Sequence, residues 1–156
     1  MLTVNQQAPD FKLFNSEKQE INLSQFKGQN VVILFFPFAF TGTCTKELCS
    51  VRDDISYYDK VNAVVLGISI DTPYTLQKYK EEQGLNIQLL SDFNKDACTA
   101  YDSKYDVFGA MQMKGVAKRS AFVVDKAGLI RYVEVLENAG DIPNFEAIKV
   151  CLESLN

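Results

Sequence analysis

The sequence contains no histidine, only four prolines, no surplus of basic charge and no apolar run long enough to span a bilayer. Without histidine no Cys–His dyad can exist, which removes the protease-type cysteine nucleophile. Zinc would need other ligands, and a lone C-x4-C between Cys44 and Cys49 is a poor zinc pattern. No metal and no other cofactor is expected. Sixteen basic residues against 20 acidic ones leave a net charge of −4, which gives no electrostatic reason to bind nucleic acid or an anionic membrane. No charged N-region followed by an apolar segment opens the chain, so no signal peptide is read and a cytoplasmic location is the expectation. Four cysteines (44, 49, 98 and 151) do not make a disulfide scaffold.

What is present is ordinary for a globular protein: 156 residues, 47% apolar and 23% charged, predicting one domain over 1–156 with a sizeable core. Repeats, low-complexity tracts and linkers are absent. The chain is organised around Phe35-Phe36-Pro37-Phe38-Ala39-Phe40-Thr41-Gly42-Thr43-Cys44. Val31 to Phe36 is a continuous apolar run that reads as a buried strand, and Pro37 ends it because proline has no N–H to give a ladder. From Cys44 the apolar positions Leu48, Val51, Ile55 and Tyr58 fall on one helical face, predicting a helix to about Tyr58. A cysteine in the first turn of a helix lies where backbone N–H groups and the dipole stabilise a thiolate. The bland alternative is a small buried hydrophobe, the more common role of an intracellular cysteine.

Elsewhere the order of elements is strand-rich. Phe11–Phe14 and Ile21–Leu23 predict a short N-terminal hairpin, and Ser24 a cap for one helical turn ending at Gly28. Ala63–Ile70 reads as a second covered strand. Thr72-Pro73 reads as the cap and first position of a helix through Gln83, closed by Gly84. Leu85–Leu90 predicts a strand, and Asp92 the cap of a short helix through Tyr101. Residues 102–118 read mostly as loop. Ser120–Val124 and Leu129–Leu136 form a hairpin around Asp125-Lys126-Ala127-Gly128, and Pro143 starts a final helix. This is an α/β sandwich: a mixed central sheet flanked by helices, with an N-terminal hairpin extension.

Pro37, Thr41 and Cys44 match P-x-x-x-T-x-x-C, the motif that carries the peroxide-reducing cysteine of peroxiredoxins, and the resemblance covers nearly the whole chain. Ala8-Pro9-Asp10-Phe11 and Leu23 to Gly28 look like that family's N-terminal signals, and Arg119 to Asp125 like the strand bearing its arginine. The resemblance implies a thioredoxin-like fold and a thiol-dependent peroxidase acting on hydrogen peroxide and organic hydroperoxides. Arg119 would lower the thiol pKa and bind the peroxide; Thr41 would donate to the sulfur or hold the peroxide oxygens; Pro37 would shape and shield the loop. Backbone N–H groups of Thr43 and Cys44 would serve as an oxyanion hole. Glu47 matches an acid that helps to hold the arginine, its alternative being a solvated first-turn glutamate. Phe38 and Phe40 are candidates for the peroxide entrance or a dimer contact.

Cys49 stands where the bacterioferritin comigratory, or Q, type carries its resolving cysteine. On an intact helix the two Cα atoms would be roughly 8.7 Å apart, beyond the roughly 7 Å limit for a disulfide. A Cys44–Cys49 bond therefore requires the first helical turn to unwind. The segment before Cys44 lacks the T-P-G-C of the Q type and looks more like the one-cysteine alkyl hydroperoxide reductase E type, which has no such second cysteine. Packing beside the helix's apolar face is the alternative for Cys49. Cys98 and Cys151 read as core thiols, with Cys98 a secondary candidate for resolution.

Implied partners are the peroxide and a thioredoxin- or glutaredoxin-like reductant, for a monomer or homodimer. Two rivals are a one-cysteine peroxidase resolved by an external thiol and a peroxide-sensing relay protein. A thioredoxin-like disulfide reductase fits poorly: the chain has no tryptophan for W-C-x-x-C, and has Arg119-Ser120 where a cis-proline is expected.

Overall fold

Every residue from Asn30 to Phe35 is buried, and a strand with no exposed face belongs in the middle of a sheet covered on both sides. A computed structural model, which describes residues 1–156, has it there. The strands are β1 (Lys12–Asn15), β2 (Glu20–Asn22), β3 (Asn30–Phe35), β4 (Ala63–Ser69), β5 (Gln88–Ser91), β6 (Val107–Phe108), β7 (Met113–Lys114), β8 (Ser120–Val124) and β9 (Ile130–Val135). The helices are α1 (Gly42–Arg52), α2 (Ile55–Lys60), α3 (Pro73–Gln83), α4 (Asp96–Ala100) and α5 (Phe145–Ser154).

Seven strands form one sheet in the order β2-β1-β5-β4-β3-β8-β9. β3, β4 and β5 run parallel, and β8 lies antiparallel to β3, so the sheet is mixed. The N-terminal hairpin joins through Phe14↔Ser91 and extends the same sheet at one edge. Alternate residues of β3 feed two cores. Val32 and Leu34 pack with Leu48, Tyr58, Tyr79 and Ile148 from α1, α2, α3 and α5; Val31, Ile33 and Phe35 pack with Cys98 of α4 and the N-terminal segment. This is the expected thioredoxin-like architecture.

Gly67 of β4 lies in close packing beside the Cys44 helix. A Cβ there would meet Leu89 Cδ2 at 2.9 Å and Phe36 Cε1 at 3.4 Å. Glycine is what lets Leu89 and Phe36 close over the strand.

Local chemistry explains the elements that fall where predicted. Thr72 accepts from Thr75 N–H at 3.2 Å, Pro73 takes the first turn, and Gly84 ends α3 at φ +60°. Asp92 caps as predicted but from outside the helix, its two carboxylate oxygens accepting from Ala97 and Cys98 N–H.

Other elements differ. The helix predicted from Cys44 to Tyr58 is two helices, broken at Asp53–Asp54, where Asp54 leaves helical geometry at φ −121°. Residues 102–118 contain the small β6–β7 hairpin, fastened at its base by a Lys104↔Ala117 bridge. The turn after β2 is a short 3₁₀ segment, Leu23–Phe26, capped by Asn22 with Gln25 and not by Ser24. β5 begins only at Gln88, where it meets Leu66 of β4, and not at Leu85. The last helix is capped by Asn144, which accepts from Ala147 N–H at 3.0 Å, rather than by the turn at Pro143.

Candidate active site

β3 ends at the sheet's C-terminal edge, where ligand sites of parallel sheets form. Pro37, itself buried, follows it. The loop to α1 is held from the neighbouring parallel strand: Asp71, just past β4, accepts from Ala39 N–H at 2.8 Å and from the Ser69 hydroxyl at 2.7 Å. Phe40 then adopts φ +65°, a left-handed conformation uncommon for a bulky residue. Thr41 is the N-cap position, its carbonyl accepting from Thr45 N–H at 3.0 Å. Gly42, Thr43 and Cys44 therefore form the first turn, where amides lack carbonyl partners within the helix.

Cys44 is 1% exposed. Antiparallel pairing of Phe35 with Ser120 brings Arg119 alongside the exit of β3, and its Nη2 donates to Cys44 Sγ at 3.2 Å. Arg119 is itself buried, and its other donors are fixed. Nη1 donates to Glu47 Oε1 at 2.8 Å, while Nε and Nη2 donate to the Ala139 carbonyl at 3.2 and 2.9 Å. Glu47 lies on the same helical face as Cys44, close to one turn further on, and is fully buried with Oε2 unpartnered.

Burial pushes the Glu47 carboxyl up to about 7; Arg119 pulls the other way and Glu134 adds to the rise. Burial also works to lower Arg119, but the Glu47 carboxylate and the Cys44 sulfur outweigh it and hold the guanidinium above its ordinary value. Arg119 thus remains a cation in a site with little water, where its attraction for an anionic sulfur is least screened. A cysteine sulfur beside a guanidinium and an unsatisfied helix end suits attack on a neutral, polarisable bond whose leaving atom becomes an oxyanion.

A cavity of about 160 Å³ opens at this point, lined by Pro37, Phe38, Thr41, Gly42, Thr43, Cys44, Phe108, Arg119 and Ala139. Phe38 and Phe108 face one another across 6.1 Å and make an apolar collar. A larger cavity of about 370 Å³, between Pro9, Leu23, Lys27 and Gly128, lies at the start of β3 and contains no cysteine. Size alone does not locate the reactive thiol.

The structure brings Pro37, Thr41, Thr43, Cys44, Glu47 and Arg119 together. Of the two roles expected of Thr41, donation to the sulfur is not the one seen, for its hydroxyl donates to the Phe38 carbonyl at 2.8 Å. Phe40 is outside the cavity lining; its left-handed turn sends the ring onto Tyr79, with centroids 5.0 Å apart. Cys49 is on an unbroken α1 but turned toward α3, its Sγ 3.8 Å from Gln83 Oε1. Cys98 is on the opposite face of the sheet from Cys44, and burial pushes its thiol up to about 12. That placement removes it as a resolving candidate. Cys151 packs on the edge of the core with a thiol raised by burial.

Asp71, Phe108 and the Ala139 carbonyl were not found from the sequence. Asp71 alone had a signal, as a carboxylate just past the C-terminal end of a strand adjacent to β3.

Comparison with known proteins finds similarity in sequence and in fold. The AhpC/TSA family matches residues 4–133. Alkyl hydroperoxide reductase E of Mycobacterium tuberculosis is 38% identical over 136 residues, covering 86% of each chain. Peroxiredoxin Bcp of Escherichia coli is 35% identical over 130 residues, covering 81% of each. The crystal structure of peroxidoxin BcpB from Mycobacterium tuberculosis superposes with a TM-score of 0.87 at 26% identity, covering 100% of this chain and 99% of that one.

Proposed function

Because the chain belongs to the AhpC/TSA family, we propose that it is a peroxiredoxin that reduces hydrogen peroxide and organic hydroperoxides through Cys44. The observation that carries this reading is the 3.2 Å contact from Arg119 Nη2 to Cys44 Sγ, in a guanidinium otherwise immobilised by Glu47 and Ala139.

In the first step the Cys44 thiolate attacks one peroxide oxygen and the O–O bond breaks. The electron pair leaves with the second oxygen, which takes a proton and departs as water or an alcohol, and Cys44 becomes a sulfenic acid. Arg119 and the first-turn amides of α1 stabilise the negative charge as it passes from sulfur to oxygen. Thr41 closes the loop and offers its oxygen to the peroxide, while Phe38 and Phe108 accept the alkyl part of an organic hydroperoxide. In the second step Cys49 attacks the sulfenic sulfur; the S–O bond breaks, and the hydroxyl leaves as water with the Cys49 proton. A dithiol of the thioredoxin or glutaredoxin kind then reduces the disulfide and is itself oxidised. We read the chain as one domain of the cytoplasm. Separately, no helix is long and apolar enough to cross a membrane.

The position of Cys49, bonded to Gln83 on an unbroken helix, also favours a second reading. In it the sulfenic acid is resolved by an external thiol. Intact mass after one equivalent of hydrogen peroxide separates the two, using the wild type, Cys44→Ser and Cys49→Ser. Loss of two hydrogens in the wild type, with one added oxygen in Cys49→Ser, is the expected result. One added oxygen in the wild type indicates the external thiol, and a Cys44→Ser protein that reacts as fast as wild type overturns the peroxidase reading.

A further inference from the structure

The face of α1 turned away from Arg119 is fastened to α3 by three links of regular spacing. Thr45, Cys49 and Arg52 follow one another at four- and three-residue intervals, the period of a single helical stripe. Opposite them stand Tyr79 and Gln83, four residues apart on α3. Thr45 Oγ1 and the Tyr79 hydroxyl share a hydrogen bond of 2.8 Å; Cys49 Sγ donates to Gln83 Oε1 at 3.8 Å; Arg52 Nη1 donates to the Gln83 carbonyl at 2.6 Å. Tyr79 is fully buried, and Phe40, held at φ +65°, rests on its ring. Burial pushes the Tyr79 phenol up to about 12, so it remains a neutral hydroxyl at any working pH.

Of the three links, only the Thr45–Tyr79 bond is in the first two turns of α1, between the two thiols. Cys44 and Cys49 project about 140° apart around the helix, so joining them requires the turn that carries Thr45 to come away from Tyr79. When it does, a fully buried hydroxyl loses its one hydrogen-bond partner, and that raises the cost of the opened state. We propose that Tyr79 is a positioning residue for resolution: by bonding Thr45 it holds α1 closed and sets the rate at which the Cys44 sulfenic acid reaches Cys49. The proposal rests on Cys49 being the resolving thiol.

The disulfide forms from the opened minority, so its rate follows that minority's population. Tyr79→Phe removes one oxygen and keeps the ring, and Thr45→Val removes the partner from a half-exposed position. Each is expected to accelerate disulfide formation about threefold to tenfold, the worth of one hydrogen bond. The double variant should gain no more than either single one, and Thr45→Ser should restore the wild-type rate. The step is read by acid quench and intact mass, following conversion of the added-oxygen species to the species lacking two hydrogens. Initial oxygen addition at Cys44 should stay within about twofold, whereas a general loss of packing would slow it. Unchanged or slower disulfide formation in both single variants overturns the latch while leaving Cys49 as the resolving thiol. A wild type that only gains oxygen overturns the Cys49 assignment, and the latch with it.

Discussion

Two flanks of one helix, α1, do opposite work. The flank bearing Cys44, Glu47, Leu48 and Val51 is buried and tied to Arg119 by charge-assisted contacts at 2.8 and 3.2 Å. The flank bearing Thr45, Cys49 and Arg52 is partly exposed and meets α3 through two uncharged links, at Thr45 and Cys49, and one charge-assisted bond further along, from Arg52 to the Gln83 carbonyl at 2.6 Å. Charge-assisted bonds are about twice as strong as neutral ones, so the first flank is fixed and the second, as far as Cys49, is releasable. The chemistry asks for this asymmetry. In the proposed cycle, attack on a peroxide needs a thiol already beside its cation, while resolution by Cys49 needs that thiol to leave. The helical period, by putting residues 44 and 49 on different flanks, lets the two demands be met by different neighbours.

The comparison breaks most visibly at Arg119. Arg119→Met should lower the second-order rate of Cys44 with hydrogen peroxide by about 100-fold or more, the usual cost of losing a preorganised donor at a developing anion. Glu47, no longer facing a cation, should take a proton across the physiological range, so the variant is expected to fold with a slow thiol. Arg119→Lys should recover only part of the rate, because an ammonium cannot reach sulfur, carboxylate and carbonyl at once. Stopped-flow measurement of the thiol reaction is the check; a drop below tenfold in Arg119→Met would remove the fixed flank from the mechanism.

Glu47 offers a second test, through pH. Its carboxyl in the folded protein is raised by burial to about 7, above the ordinary 4.5. The sign follows directly: the folded state holds a proton that the unfolded chain has released. The stability from this group is therefore fully present below pH 4.5 and is lost as pH rises through about 7. The wild type should lose on the order of 3 kcal/mol relative to Glu47→Gln across that window, since the amide does not titrate. Chemical denaturation of both proteins at several pH values measures the difference. Parallel curves would mean that Arg119 keeps Glu47 ionised throughout, and that the fixed flank is a permanent ion pair.

Which parts of this arrangement were legible in the sequence depends on how far each signal travels. α3 was readable at both ends because Thr72, Pro73 and Gly84 act on their own backbone. The buried middle strands were readable because continuous apolar runs have few alternatives. The break between α1 and α2 was not, because Ile55 and Tyr58 stay in phase with Cys44, Leu48 and Val51, and periodicity alone continues the helix. The β6–β7 hairpin has two-residue strands, too short to show any period. At the site, Cys44, Thr41 and Pro37 were found through a motif, Arg119 through the resemblance of its strand to the family's arginine strand, and Glu47 through its resemblance to a family acid. Phe40 does not line the peroxide entrance because a left-handed turn, which no neighbour in the sequence demands, swings it from the cavity to Tyr79. The holds on the loop and the arginine, by Asp71 and the Ala139 carbonyl, join residues 32 and 20 positions apart and leave no local trace.

The smallest effect concerns α3, the platform for the releasable flank. Thr72 caps this helix by accepting from Thr75 N–H, and Thr72→Ala should cost about 1 kcal/mol. For a chain of this size that lowers Tm by roughly 2–4 °C. The loss is felt first in the turn beginning at Pro73, less than two turns before Tyr79, so the support for Thr45 weakens while the Arg119 cluster, which makes no hydrogen bond to α3, is untouched. Hydrogen exchange should accordingly quicken along α3 and in the first turns of α1, with the rate of peroxide attack at Cys44 unchanged. If attack slows in step with the loss of Tm, the two flanks are not separable, because α1 then transmits any slackening of α3 directly to Cys44. If exchange quickens and attack holds, one helix carries a fixed and a releasable side whose stabilities are set by different neighbours.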